Sequence, residues 1–319
     1  MTTIKHFNKQ IPPEMAGYRL DKALAELFPS YSRARLQQWI RDGYVLVNAT
    51  QWRGKDKVKG FESVQVSAQL EEEVPWKAQV LPLTLLYEDE DILVVNKPAG
   101  LVVHPGAGNQ DNTLVNALLY HAPELVQLPR AGIIHRLDKD TSGVLVVARH
   151  LAAHTHLVAQ LQGREFMRKY QAIVMGVLVA GGRVDAPIGR HPTHRTRMAV
   201  VENGKQAITH YRVIQRYRAH THIRVQLETG RTHQIRVHLA YKHYPLLGDP
   251  VYGGRLQIPS ASSDTFSETL RTFQRQALHA AELGFIHPSS SEWVQWAAPL
   301  PDDMQILLAA LEKDRQEHA

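Results

Sequence analysis

The spacing of hydrophobic positions changes period several times along this 319-residue chain. Leu20, Ala23, Leu24 and Leu27 recur at helical spacing and stop near Pro29. Leu36, Trp39 and Ile40 repeat that period up to Gly43, with Ser30 or Ser32 placed to cap this second helix. Residues 44–48 then read as a short strand, and residues 85–97 as strand, acidic turn and strand. Helices are expected over 113–120 and 154–161, and strands over 144–147 and 169–176. Residues 207–215, 222–229 and 230–238 form a strand-rich stretch, and the alternation in HIRVQLE marks it as antiparallel. The end alternates helix and strand over 276–284 and 293–297 before a closing helix over 302–313. Three stretches lack periodicity: a polar arm over 1–15, a Pro- and Glu-containing segment over 71–83, and a Ser/Thr-rich excursion over 255–275. The predicted layout is an arm (1–15), a small module (16–70), a linker (71–83) and a large domain (84–319).

Residues 132–148, GIIHRLDKDTSGVLVVA, concentrate the chemistry. Two apolar runs flank His135, Arg136, Asp138, Lys139 and Asp140, and the second run is β-branched, as in a buried strand. A charged turn feeding such a strand holds acids and bases at the edge of a rigid sheet. Buried charge is costly unless paired, so such a cluster points to a site. The plain alternative is a solvated loop whose ions neutralise one another.

The order HRLDKDTSG resembles the signature of the RluA family of RNA pseudouridine synthases, and TGRTHQIRVHLAYKHYPLLGDPVYGG resembles that family's third block. The resemblance implies an α+β catalytic domain built on a mixed, largely antiparallel bent sheet with flanking helices. Residues 16–70, with the strand DGYVLVN, resemble an S4-type α/β RNA-binding module. By the same resemblance, Asp138 is the catalytic carboxylate, Arg236 the basic partner that keeps it ionised, and Tyr170 the aromatic that packs on the target base. Arg136 fills the gap left by the everted base, KPAG and VHPG shape the cleft around Lys97 and His104, and His135, His233 and Gln234 join the RNA-binding set. Arg231 is assigned to phosphate contact, since a guanidinium binds phosphate in a bidentate way. Arg33, Arg35 and Arg41 are expected along one edge of the module's second helix, with Lys55, Lys57 and Lys59 on the next loop, as a phosphate-binding surface.

Composition narrows the picture. The chain has no Cys, which excludes thiolate nucleophiles and Cys-based metal sites. Its net charge of +6 is unevenly spread: residues 1–60 carry +6, residues 61–91 carry −7 and the remainder +7. Two basic bodies separated by an acidic strip suit a polyanion partner. No apolar run reaches membrane-span length, and a cytoplasmic monomer acting on RNA, without membrane or DNA, is expected. The His191/His194 and His220/His222 pairs have metal-compatible spacing but no Cys or acidic companions, so no metal or cofactor is expected. The layout is most similar to the branch of the family that modifies uridines in helix 69 of 23S ribosomal RNA, in the large subunit or its precursor. The alternatives are other 23S uridines, tRNA, a non-catalytic ribosome-assembly factor that keeps the scaffold, or a nucleic-acid glycosidase using Asp140 as a second carboxyl.

Overall fold

The computed structural model describes residues 3–29, 31, 33–70, 76–106 and 108–319. The expected caps Ser30 and Ser32, and residues 71–75 of the expected linker, lie outside the described residues. The chain divides into two compact units, Met1–Pro75 and Trp76–Ala319. Among the described residues no helix is long and apolar enough to cross a membrane.

In the first unit, strands β1 (Thr3–Gln10), β2 (Val45–Val47) and β3 (Ser63–Leu70) form an antiparallel sheet in the order β1-β3-β2. Helices α1 (Leu20–Leu27) and α2 (Arg33–Arg41) pack Leu20, Leu24, Leu36 and Ile40 against Val45, Val64 and Val66. The arm expected at 1–15 is therefore largely a strand. Its side chains at His6, Asn8, Lys9 and Gln10 are exposed, so no alternation marks it, and backbone pairing to β3 holds it in place. The fully buried Asp21 receives Arg19, Arg33 and Gln37. Burial pushes its pKa up, but those three donors outweigh it and hold the carboxyl below its ordinary value.

The second unit is built on a nine-stranded sheet. Its strands are β4 (Leu85–Glu88), β5 (Ile92–Lys97), β6 (Ser142–Ala148), β7 (Met167–Met175) and β8 (Gly182–Asp185). After the small hairpin β9 (Ile188–Arg190) and β10 (Met198–Val200) come β11 (Ile208–Arg216), β12 (His220–Leu227), β13 (Leu278–Ile286) and β14 (Trp293–Ala297). The order is β4-β5-β6-β13-β7-β12-β11-β8, with β14 beside β13. Only β6 and β13 run parallel; the other pairs are antiparallel. Helices α3 (Leu114–His121), α4 (Leu151–Gly163), α5 (Gln234–Tyr241), α6 (Asp264–Thr272) and α7 (Asp302–Glu317) flank this sheet.

Several expectations give way here. Residues 230–238 are not a strand but a turn leading into α5, because nearly every residue from Gln234 to Leu239 is buried and no polar stripe betrays the helix. Most of residues 276–284 lie in strand β13, which begins at Leu278, is buried on both faces and so shows no alternation. The polar excursion holds α6, whose Phe266 and Leu270 enter a core with Leu307 and Leu311 of α7. Residues 76–83, expected in the linker, are tied to the second unit: Asn116 donates to the Lys77 carbonyl (2.7 Å), and the Gln79 amide donates to the Asn116 carbonyl (2.9 Å).

The sheet's register positions the site. Gly143 of β6 pairs with Ala280 of β13, which pairs with Tyr170 of β7, which pairs with Val225 of β12. This line joins the strand that follows the charged turn to the strand that precedes α5. Gly143 has φ +115°, and a Cβ there would lie 2.1 Å from the Ala280 carbonyl oxygen. Gly143→Ala is expected to cost about 3 kcal/mol or more, read as a fall in Tm of the second unit. An unchanged Tm would show that β6 and β13 separate without penalty.

Candidate active site

Asp138 lies in the turn before β6, closed by the Thr141 amide donating to the Asp138 carbonyl (3.1 Å). Two basic side chains, the buried Lys97 and the half-buried Arg275, hold the neighbouring backbone. The Lys97 ammonium donates to the carbonyls of Pro98, Leu101 and Lys139 at 2.8–2.9 Å, and Arg275 Nη1 donates to the Asp140 carbonyl at 3.2 Å. Lys97 is thereby corrected: it is fully buried and spends its three N–H groups on the protein, so it makes no contact with RNA. Burial pulls its pKa down to about 7, against the opposing charges of Asp140 and Asp138.

Arg236 enters from the first turn of α5. Its Nη1 donates to Asp138 Oδ2 (3.1 Å), while Nε and Nη2 grip Asp249 at 2.7 and 2.9 Å. Asp249 also accepts from the Val251 and Tyr252 amides. Burial raises the Asp249 pKa, but Arg236 and the two amides outweigh it and leave the carboxyl depressed. Burial likewise weighs against the Arg236 charge, and the two carboxylates hold it firmly protonated. The sequence motifs do not single out Asp249. The usable signal is an Asp between Gly and Pro after an apolar pair, since a carboxylate in such a setting is buried only with a cation.

The Asp138–Arg236 pair opens on a cavity of about 820 Å³, a size suited to a small ligand, lined also by His104, Arg130, His135, Arg136, Arg168, Tyr170, Arg231, His233 and Gln234. Tyr170 is buried, and burial raises its pKa above the ordinary phenol value, so it is a neutral, apolar-faced group at neutral pH. His233 has φ +56° at the start of α5, sets Nε2 3.9 Å from Asp138, and bonds through Nδ1 to the Tyr252 hydroxyl. His135 and His104 are kept neutral mainly by burial, at about 3 and about 4, so neither offers phosphate a charge at neutral pH. Arg136 is exposed at the cavity, and Arg231 reaches it while Nε donates to the Gln206 carbonyl.

Gln234 is a second correction. It accepts from the Arg231 amide and Thr229 hydroxyl and donates to the Ile208 carbonyl and Thr209 hydroxyl, so its amide fastens α5 to β11 rather than to RNA. Asp140 is not among the cavity's lining residues, so it is not placed as the second carboxyl a glycosidase requires; the other carboxylate at the cavity, Glu228, is paired with His210. In the first unit, Arg33 is ion-paired to Asp21, Arg41 donates to Gln38, and Arg35 lies 5.9 Å over the Trp39 ring. At 3.6 residues per turn Arg35 is across the helix from Arg33, so the three do not share one edge. Lys55, Lys57 and Lys59 are exposed.

Among the described residues, Asp89, Asp91 and His287 bring ligand atoms within 4.8 Å of one another. Hydrogen bonds among themselves and from Tyr87, His150 and backbone amides already engage these atoms, outside the cavity.

Residues 91–241 match the model of the RNA pseudouridylate synthases, and residues 19–60 match the S4 domain. The chain is 55% identical to ribosomal large subunit pseudouridine synthase D of Pseudomonas aeruginosa over 96% of both chains. It is 54% identical to the protein of that name from Escherichia coli, over 95% of this chain and 93% of the relative. The chain belongs to the RNA pseudouridine synthase family. The solved human RNA pseudouridylate synthase domain containing 4 covers 72% of this chain at 27% identity and TM-score 0.57, with 93% of its own length matched. Its counterpart, domain containing 1, covers 74% at 25% identity and TM-score 0.55, with 96% of its own length matched. A pseudouridine synthase is an isomerase, and the cavity carries the carboxylate, cation and aromatic face that the sequence motifs placed in such a site.

Asp249→Asn is expected to lower the Tm at neutral pH, because Arg236 loses half of its compensation. A carboxyl whose folded pKa is depressed stabilises the fold above its unfolded value, near 3.8, and this contribution disappears as pH falls through the lower folded value. Thermal unfolding across pH should therefore show the gap between wild type and variant narrowing below that value. A gap independent of pH would mean that Asp249 does not act through its charge.

Proposed function

We propose that this chain converts uridines of 23S ribosomal RNA to pseudouridine, in the helix 69 stem-loop, with Asp138 as the essential carboxylate. The observation that carries the reading is the Asp138 carboxylate held 3.1 Å from the Arg236 guanidinium in a cavity faced by Tyr170. The substrate follows from the relatives, whose names assign them to the large ribosomal subunit.

The reaction breaks the bond from ribose C1′ to base N1 and joins C1′ to C5, with no change of oxidation state. Positive charge gathers at C1′ as the first bond weakens, and a carboxylate beside that carbon stabilises it. Arg236 sets a fixed positive charge 3.1 Å from Asp138 as an RNA polyanion approaches. Tyr170 offers a flat face to the everted base, and Arg136 stacks where the base has left the helix. His233, Arg231 and the neutral His104 and His135 border the same space. The S4 unit supplies a phosphate-binding surface through Lys55, Lys57, Lys59 and the half-exposed Arg33, with Arg35 and Arg41. An enzyme working on ribosomal RNA in this way acts in the cytoplasm, and no step calls for a metal or cofactor.

Purified Asp138→Asn protein is expected to form no pseudouridine on a 23S transcript while binding it as wild type does, because the change is isosteric. Continued turnover would remove Asp138 from the centre of the mechanism. Replacing Lys55, Lys57 and Lys59 together by Gln should flatten the salt dependence of RNA binding, by a slope of about 0.7–0.9 for each phosphate that these lysines neutralise. An unchanged slope would take the phosphate surface away from that loop.

A further inference from the structure

Arg168 is a buried arginine in the cavity whose setting remains unexplained. It stands two residues before Tyr170 on β7, so both side chains leave the same face of the sheet, and both are buried. Its Nη2 donates to the Glu228 carbonyl (3.1 Å). Its Nε is shielded and has no partner, and among the described residues no carboxylate lies within ion-pair distance. Nη1 lies against Gly230, where even a Cβ would come within 2.8 Å. By contrast, Arg236 is balanced by Asp138 and Asp249, while Arg136 and Arg164 stand exposed. Burial works against the Arg168 charge, and the opposing influence comes from the neighbouring Tyr170 phenol, whose own pKa burial raises, so that it is neutral at neutral pH.

A buried, uncompensated guanidinium costs stability, and its place in a substrate cavity makes sense where negative charge arrives with the substrate. Two such charges reach this cavity. Phosphates run along the mouth, where the exposed arginines wait. The other charge develops on the base. When C1′–N1 breaks, the bonding electron pair leaves on N1 and spreads to O2, whether the Asp138 carboxylate bonds to C1′ or takes the proton from C2′. The detached uracil is then an anion packed on Tyr170. In the second half of the reaction, C5 bonds to C1′ and the carboxylate is released, or returns its proton to C2′. C5 gives up its proton and N1 gains one, so atoms and charge balance without any co-reactant.

From this juxtaposition we infer that Arg168 is a catalytic residue that stabilises the departing uracil anion, as Asp138 answers the charge at C1′. The inference rests on the reading of the reaction given above. Arg168 stays protonated throughout and acts as a fixed charge already in place when the bond breaks, a form of stabilisation that costs no reorganisation at that moment.

The test compares full-length wild type, Arg168→Met and Arg168→Lys in single turnovers on two stem-loop RNAs, one with uridine and one with 5-fluorouridine at the target. Conversion is read by chromatography after nuclease digestion as loss of the parent nucleoside, because the fluorinated base has no C5 proton to give up and, once C5 is bonded to C1′, takes up water across N1 and C6 instead. Fluorine makes the departing base a weaker base, which lessens the need for a cation. Arg168→Met is expected to slow uridine conversion about 100-fold, the usual cost of losing one such donor. Its loss on 5-fluorouridine should be clearly smaller, and Arg168→Lys should recover part of the uridine rate, with RNA affinity unchanged and the Tm of Arg168→Met no lower than that of wild type. Equal losses on the two bases would overturn the inference. A rate loss matched by weaker RNA binding and a shallower salt slope would also overturn it, assigning Arg168 to phosphate. A lowered Tm with an unchanged rate ratio would overturn it in favour of a strut for the Glu228 carbonyl. The wild-type rate on uridine reports on the reaction itself and the ratio of losses on Arg168, so failures of the two readings register in different numbers.

Discussion

The site depends on one guanidinium shared between two carboxylates. Arg236 uses two nitrogens on Asp249 and a third on Asp138. Asp249 is fully buried at its side chain, with every approach to it taken by Arg236 or by backbone amides, whereas Asp138 keeps part of its surface open to the cavity. One carboxylate thus fixes the cation and the other is left free to meet a substrate. A planar fork with five donors can do this; a lysine ammonium would hold the same charge without the fixed direction. The fold around this bridge can be understood as what is needed to bring three distant segments, near 138, 236 and 249, within reach of one another.

That convergence follows from the sheet. The single parallel pair, β6 with β13, lets β6 begin beside the middle of the sheet, and Gly143 makes the close approach possible. The turn ahead of β6 therefore opens over β7, where Tyr170 stands, and next to the end of β12, from which the chain turns into α5. Lys97 and Arg275 then hold the carbonyls of residues 139 and 140, so the turn bearing Asp138 is braced from the sheet side. Strand β7 and helix α5 carry Tyr170 and Arg236, while the braced turn carries Asp138 beside the exposed Arg136.

The chemistry was more accessible from sequence than its scaffolding. Asp138, Arg236 and Tyr170 sit inside motifs dense enough to point to a family, and the structure brings all three to one cavity. What escaped did so for physical reasons. Helix α5 over residues 234–239 and nearly all of strand β13 are buried, and an element without a polar face has no period to detect. The first strand is an edge strand with polar side chains, so only its hydrogen bonds to β3 define it. Lys97 and Gln234 lie within the right motifs, but motifs do not distinguish a side chain that faces the substrate from one that fastens the loop beneath it. Asp249 lies in the third block without being singled out there, and Arg168 lies outside the quoted motifs; only burial makes either charge informative.

Single-nucleotide pseudouridine mapping of ribosomal RNA from cells lacking this protein tests the central claim most directly. The expected result is loss of pseudouridine confined to helix 69 of 23S ribosomal RNA, with the signals restored when the intact chain is supplied again. A complete and unaltered map would contradict the account.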